Sequence, residues 1–155
     1  MARLTPIRVL FTTVGSAGSI LHYDGTAWTS VPSGTTDDIS ALWGTSPTDV
    51  WAVGGSALGS GATGVGGIIL HWNGTAWSPA TSGTTQDLYT VWGASASDIW
   101  VAGTTGTILH YDGTSWSAGT SSGSTLFLAG IWGSSATDVW MVGGQGTIIH
   151  GPPVS

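Results

Sequence analysis

The stretch LYTVWGASASDIWVAGTTGTILHYDGTSWSAG, Leu88–Gly119, decides the fold. It separates into four short runs: LYTVWG (Leu88–Gly93), DIWVAG (Asp98–Gly103), TILHYD (Thr107–Asp112) and the stretch around SWSAG (Ser115–Gly119). Each is rich in Trp, Ile, Val, Tyr or Thr, which suit a pleated, half-buried surface. Each is near the usual strand length of about five or six residues. The links SASD, TTG and DGT carry turn residues. Asp112-Gly113 predicts a hairpin between the third and fourth strands, with positive φ expected at both turn residues.

The same pattern recurs along the chain. ILHYDGTAW (Ile20–Trp28) returns as ILHWNGTAW (Ile69–Trp77) and ILHYDGTSW (Ile108–Trp116), and a fourth copy, IIH, ends at His150. LWGTSPTDVWAVG from Leu42 returns as VWGASASDIWVAG from Val91 and IWGSSATDVWMVG from Ile131. The histidines fall at positions 22, 71, 110 and 150, in steps of 49, 39 and 40. A Gly/Ser/Ala-rich insertion around Gly55–Gly64 lengthens the first step. A period of about 40 residues with four strands in each is that of a propeller blade.

The expected fold is therefore all-β and propeller-like, with four-stranded antiparallel blades and about 3.5–4 blades in the chain. The chain divides into a partial blade over 1–35, a blade over 36–84 containing the insertion at 55–64, a blade over 85–123 and a partial blade over 124–155. Nine of the ten tryptophans occupy three repeat positions: Trp43, Trp92 and Trp132; Trp51, Trp100 and Trp140; Trp28, Trp77 and Trp116. Trp72 takes the place held by Tyr23 and Tyr111. Large aromatics at fixed repeat positions are expected to fill the wedge between facing blades. The ends depart from the pattern. Thr12 stands in the slot of Trp140 and Leu10 in that of Asp138, and the DGTxW hairpin does not follow His150. An incomplete ring would leave strand edges and an apolar blade face bare. A homo-oligomer, in its simplest form a two-fold dimer, would cover both.

Composition narrows the function. Of 155 residues 41% are hydrophobic and only 6% charged, with 26 glycines and 10 tryptophans. There is no Glu and no Lys, so a helical bundle is disfavoured. The net charge of −6, with Arg3 and Arg8 as the only basic residues apart from histidine, argues against a nucleic-acid partner. No apolar run reaches the roughly 18 residues of a membrane span, so no membrane insertion is expected. No signal peptide is visible in MARLTPIRVLF. The absence of cysteine is neutral as to redox compartment.

The pattern WG-(five residues)-D-[VI]-W-x-[VA]-G, followed by G-T-I-[LI]-H-[YW]-[DN]-G-T-x-W, resembles the tandem β-propeller repeats of large bacterial secreted or surface proteins, abundant in myxobacteria. The resemblance covers about Val14 to His150. It implies the propeller architecture and an extracellular or cell-surface location, and no particular activity. The DGTxW turn is also similar to the Asp-box of sialidases and other BNR-type propellers, with an Asp-to-Gly step of one residue in place of two. That likeness implies turn-forming roles for Asp24, Asn73 and Asp112.

Two chemistries are open. The hairpin tips offer Tyr23, Asp24, Trp72, Asn73, Tyr111 and Asp112, aromatics and hydrogen-bonding groups that could hold a carbohydrate once per blade. That favours a non-enzymatic binding or structural module without a cofactor. The alternative is a metal-dependent hydrolase with His22, His71, His110 and His150 as ligands for zinc or another divalent transition metal. Third strands of neighbouring blades are expected well over about 10 Å apart, which weighs against one ion on all four. The plainer reading gives each histidine a structural bond to the hairpin or the next blade. Asp49, Asp98 and Asp138 are expected to close turns on their own backbone. Asp37-Asp38 reads as an exposed acidic pair. Gly59–Gly64 fits G-x-G-x-x-G with no helix to follow, and Gly119–Gly123 fits G-x-S-x-G without an α/β sheet. Both read as chance matches in a chain rich in Gly and Ser.

Overall fold

The computed structural model describes residues 11–56, 66–119 and 125–151. The insertion core, the G-x-G-x-x-G match, most of the G-x-S-x-G match and both arginines lie outside these residues. Strands make up most of the described chain, in four antiparallel sheets. The first comprises β1 (Phe11–Val14), β2 (Ile20–Tyr23) and β3 (Trp28–Ser30). The second comprises β4 (Asp38–Ser46), β5 (Asp49–Gly55), β6 (Ile68–Trp72) and β7 (Trp77–Ala80). The third holds β8 (Leu88–Ser95), β9 (Asp98–Gly103), β10 (Ile108–Tyr111) and β11 (Trp116–Ala118). The fourth holds β12 (Leu128–Ser135), β13 (Asp138–Gly143) and β14 (Ile148–His150).

Within every sheet the strands are neighbours in chain order. The register is repeated as well: Thr12, Trp51, Trp100 and Trp140 lie opposite His22, His71, His110 and His150 in turn. β1 thus takes the second-strand place of its blade, and β12 to β14 take places one to three. β4 packs on β8 and β8 on β12, so the first strands of successive blades converge. This is a β-propeller, with the histidine strand third from the axis.

The core lies between blades. Trp51, Val53, Ile69, Leu88, Val91 and Ile99 pack between the second and third, and Trp100, Ile108, Leu128, Val139 and Met141 between the third and fourth. A smaller cluster of Ile20, Ile39, Ala52 and Leu70 joins the first and second. In the third and fourth blades the glycine after the first-strand tryptophan seats the tryptophan of the blade before it. A Cβ on Gly93 would stand 2.5 Å from the Trp43 ring, and one on Gly133 would stand 2.7 Å from the Trp92 ring. The wedge-filling role expected of the tryptophans holds for Trp51 and Trp100, 5% and 4% exposed. It stops at the last blade, where Trp140 is 40% exposed and Trp132 62%.

The two recurrent turns differ from expectation. The DGTxW hairpin forms, but only its glycine takes positive φ: Gly25, Gly74 and Gly113, at 98°, 92° and 92°. The loop is four residues long because the Asp or Asn side chain closes it. The paired positive φ expected there occurs instead at the turn between second and third strands. Ala17-Gly18, Thr105-Gly106 and Gln145-Gly146 each have a first residue at φ 53° followed by a left-handed glycine.

Candidate functional site

The register that faces tryptophan with histidine also brings in the aspartate that precedes the second strand. The Nε2–H of His71 donates to Asp49 Oδ1 at 2.8 Å, His110 to Asp98 at 2.8 Å and His150 to Asp138 at 2.9 Å. A hydroxyl at the end of the first strand completes two of these clusters, Thr45 donating to Asp49 and Ser134 to Asp138. Ala94 holds the equivalent place in the third blade. Each imidazole stacks on the indole opposite it, at centroid distances of 4.3, 4.0 and 3.9 Å for Trp51–His71, Trp100–His110 and Trp140–His150.

These aspartates do not close turns on their own backbone. They cross the sheet to the third strand, and the histidines bond within their own blade. Burial pushes the Asp49 carboxyl up, but the hydrogen bonds from Thr45 and His71 and the His71 charge outweigh it and hold the group below its ordinary value. The Asp138 carboxyl is held low by the hydrogen bonds from Ser134 and His150 against a smaller effect of burial. Each histidine stands in a separate blade. Among the described residues no three His, Cys, Asp or Glu side chains come together as a metal cluster.

The hairpin-tip residues are not brought together either. Asp24 Oδ1 accepts the Thr26 and Ala27 N–H groups at 2.8 and 3.0 Å. Asn73 Oδ1 accepts those of Thr75 and Ala76 at 2.9 and 3.1 Å, and Asp112 Oδ1 those of Thr114 and Ser115 at 2.8 and 2.9 Å. The backbone N–H groups of Ser115 and Thr114 hold the Asp112 carboxyl low. Tyr23, Trp72 and Tyr111 each lean on the tryptophan across their hairpin, Trp28, Trp77 and Trp116, at 5.3, 5.7 and 5.2 Å. In the third blade this pair receives Trp51 from the second, with Tyr111 at 4.9 Å and Trp116 at 5.4 Å. Asp38 is also occupied: it accepts the Ala17 N–H at 2.9 Å and is half-buried.

One cavity stands apart from this repeating pattern. It has a volume of about 310 Å³ and lies between the first and second blades, lined by Thr12, His22, Leu42, Gly44, Trp72 and Trp77 among others. Thr12 Oγ1 is 3.3 Å from His22 Nδ1. Of the six hairpin-tip residues only Trp72 reaches this cavity. His22 was visible in the sequence, but the cavity itself was not.

No protein-family model matches the chain, and no curated protein does. Among the solved structures that share its fold are two of YCF48. One is YCF48 from Cyanidioschyzon merolae, with a TM-score of 0.72 and 17% identity over 95% of this chain and 48% of that one. The other is YCF48 bound to D1 peptide, with a TM-score of 0.73 and 14% identity over 96% of this chain and 49% of that one. The chain thus spans about half the length of the structures it matches. At these identities the likeness carries the β-propeller fold and the repeat architecture.

Proposed function

We propose that this chain is a non-enzymatic binding scaffold: a run of propeller blades completed by a second copy, and whose ligand is a peptide. The bare blade face carries this reading. Trp140 holds the same repeat position as Trp51 and Trp100, yet only Trp140 is exposed. At the other end, the Tyr23–Trp28 pair repeats the Tyr111–Trp116 pair that receives Trp51. The last blade presents a tryptophan and the first repeats the aromatic pair that receives one between the second and third, so head-to-tail pairing would follow the pattern of the internal interface. Two such contacts close a two-fold ring. Two copies of about four blades make about eight, within the range that propellers occupy.

Peptide as the ligand is supported by the related fold: YCF48 has been solved bound to D1 peptide. It also agrees with how this chain uses its hairpin tips, where the Asp and Asn side chains expected to grip a sugar are engaged in holding turns. Native mass spectrometry of the purified chain tests the assembly. The expected mass is that of a dimer, reduced to a monomer by Trp140→Asp. A monomeric wild-type mass at micromolar concentration would overturn ring completion.

A further inference from the structure

We infer that the cavity between the first two blades is a receptor for an aromatic side chain, a tryptophan of a partner peptide, in the place where the first blade lacks its own. The argument is one of repeat equivalence. Thr12 lies opposite His22 as Trp51 lies opposite His71. By the same repeat, Leu42, Gly44, Trp72 and Trp77 correspond to Val91, Gly93, Tyr111 and Trp116. Val91 shares the buried cluster of Trp51, and Tyr111 and Trp116 pack on its ring. The cavity wall is therefore the wall of an indole-binding wedge, with a threonine where the indole would be.

The imidazole supports the same occupant. In the other three blades an indole stacks on it at 3.9 to 4.3 Å. Among the described residues no ring stacks on His22, whose ring contacts Thr12. The missing tryptophan and the cavity therefore have one cause. An incoming indole would meet His22 on one side and the Trp72–Trp77 pair on the other. It would bury a large apolar area at little rotamer cost. The wall combines aromatic and aliphatic surface with the hydroxyls of Thr12 and Thr45. Among the described residues it carries no carboxylate and, besides the imidazole of His22, no basic side chain. A neutral aromatic group suits it better than an anion.

The inference rests on the binding-scaffold reading but not on ring closure, because every wall residue belongs to one chain. The test is a titration of the full chain with N-acetyl-L-tryptophanamide, followed through the imidazole proton signals of the four histidines. Saturable binding should shift the His22 signals by ring current and leave those of His71, His110 and His150 in place. Thr12→Trp should fill the cavity from within and weaken the probe at least about tenfold, as loss of a buried aromatic anchor does. Its thermal midpoint should match or exceed that of wild type. Should that variant not fold, the His22 shift in the wild-type chain decides the matter. N-acetyl-L-leucinamide should not bind. Absence of saturable binding, an unmoved His22, or unaltered affinity in folded Thr12→Trp would overturn the site. So would binding of methyl β-D-glucopyranoside without binding of the tryptophanamide, which would give the cavity to a carbohydrate. A monomer that still binds the probe would retire ring closure alone, and a dimer that does not would retire the cavity alone.

Discussion

At the residue scale, the aspartate–histidine pairs set how the fold responds to acid. A carboxyl held below its ordinary value contributes stability that is fully present above the unfolded-state value, near about 3.9 for aspartate. That contribution is lost as pH falls through the lower folded-state value. Asp49, held low by Thr45 and His71, therefore predicts a loss of stability that sets in below about pH 4. Asp49→Asn cannot titrate, so its thermal midpoint should start lower and fall less steeply between about pH 5 and 2. Parallel acid limbs for the two proteins would show that the pair has no such role. Both partners were legible in the sequence, since His71 recurs in all four repeats and Asp49 in three of them. Their contact was not, because the pleat and strand register that carry a residue before the second strand over to the third are not written in a repeat count. One signal was present: the first repeat loses the aspartate and the tryptophan together, to Leu10 and Thr12. Residues lost together and absent from no other blade point to a shared contact, and the cavity beside His22 lies where it would have been.

At the scale of the element, two local features set what each strand and turn tolerates. The Trp43 ring lies against Gly93, and a methyl group there would enter its van der Waals space. Gly93→Ala should cost about 1–3 kcal/mol, the range for overpacking a fixed core, read as a lower midpoint in denaturant at unchanged slope. A neutral result would mean that the ring can slide. The turn before each third strand holds the opposite potential. Gln145 sits at φ 53°, where an L-residue pays about 1–2 kcal/mol that glycine escapes. After the backbone entropy of glycine is subtracted, Gln145→Gly should still raise stability by up to about 1 kcal/mol. Thr105, at the same φ, should gain less on the same change. Its hydroxyl donates to Gln86 Oε1 at 2.8 Å, and glycine would forfeit that bond. The strands themselves were legible because β-branched and aromatic runs alternate with turn residues at a constant period. The turn type was not. Asp-Gly supports either a two-residue turn or a longer loop closed by the aspartate side chain, and Thr26 and Ala27 donating to Asp24 choose the second.

At the scale of the molecule, the difference between an internal and a terminal blade can be measured. Trp100 and Trp140 share a repeat position and each stacks on the histidine opposite it, but Trp100 is buried under the fourth blade and Trp140 is exposed. Trp100→Ala opens a hole inside the chain and should cost about 3–5 kcal/mol of folding stability whatever the protein concentration. Trp140→Ala removes a ring that the single chain leaves partly in water, so its effect on the folding of an isolated chain should be much smaller. If a second copy covers the face, the missing energy appears in assembly. A buried tryptophan at the centre of an interface is worth at least about 2 kcal/mol, which is about thirtyfold in dissociation constant. Dilution followed by mass measurement should therefore show Trp140→Ala dissociating at a concentration about thirty times that of wild type. The wild-type thermal midpoint should rise with protein concentration, and that of the variant should rise less over the same range. Equal dissociation of the two proteins would remove Trp140 from any interface. Equal folding costs for Trp100→Ala and Trp140→Ala in a chain shown to be monomeric would mean that the last blade is covered from within. The two substitutions thus separate a face that belongs to folding from one that belongs to association, although the repeat gives both the same residue.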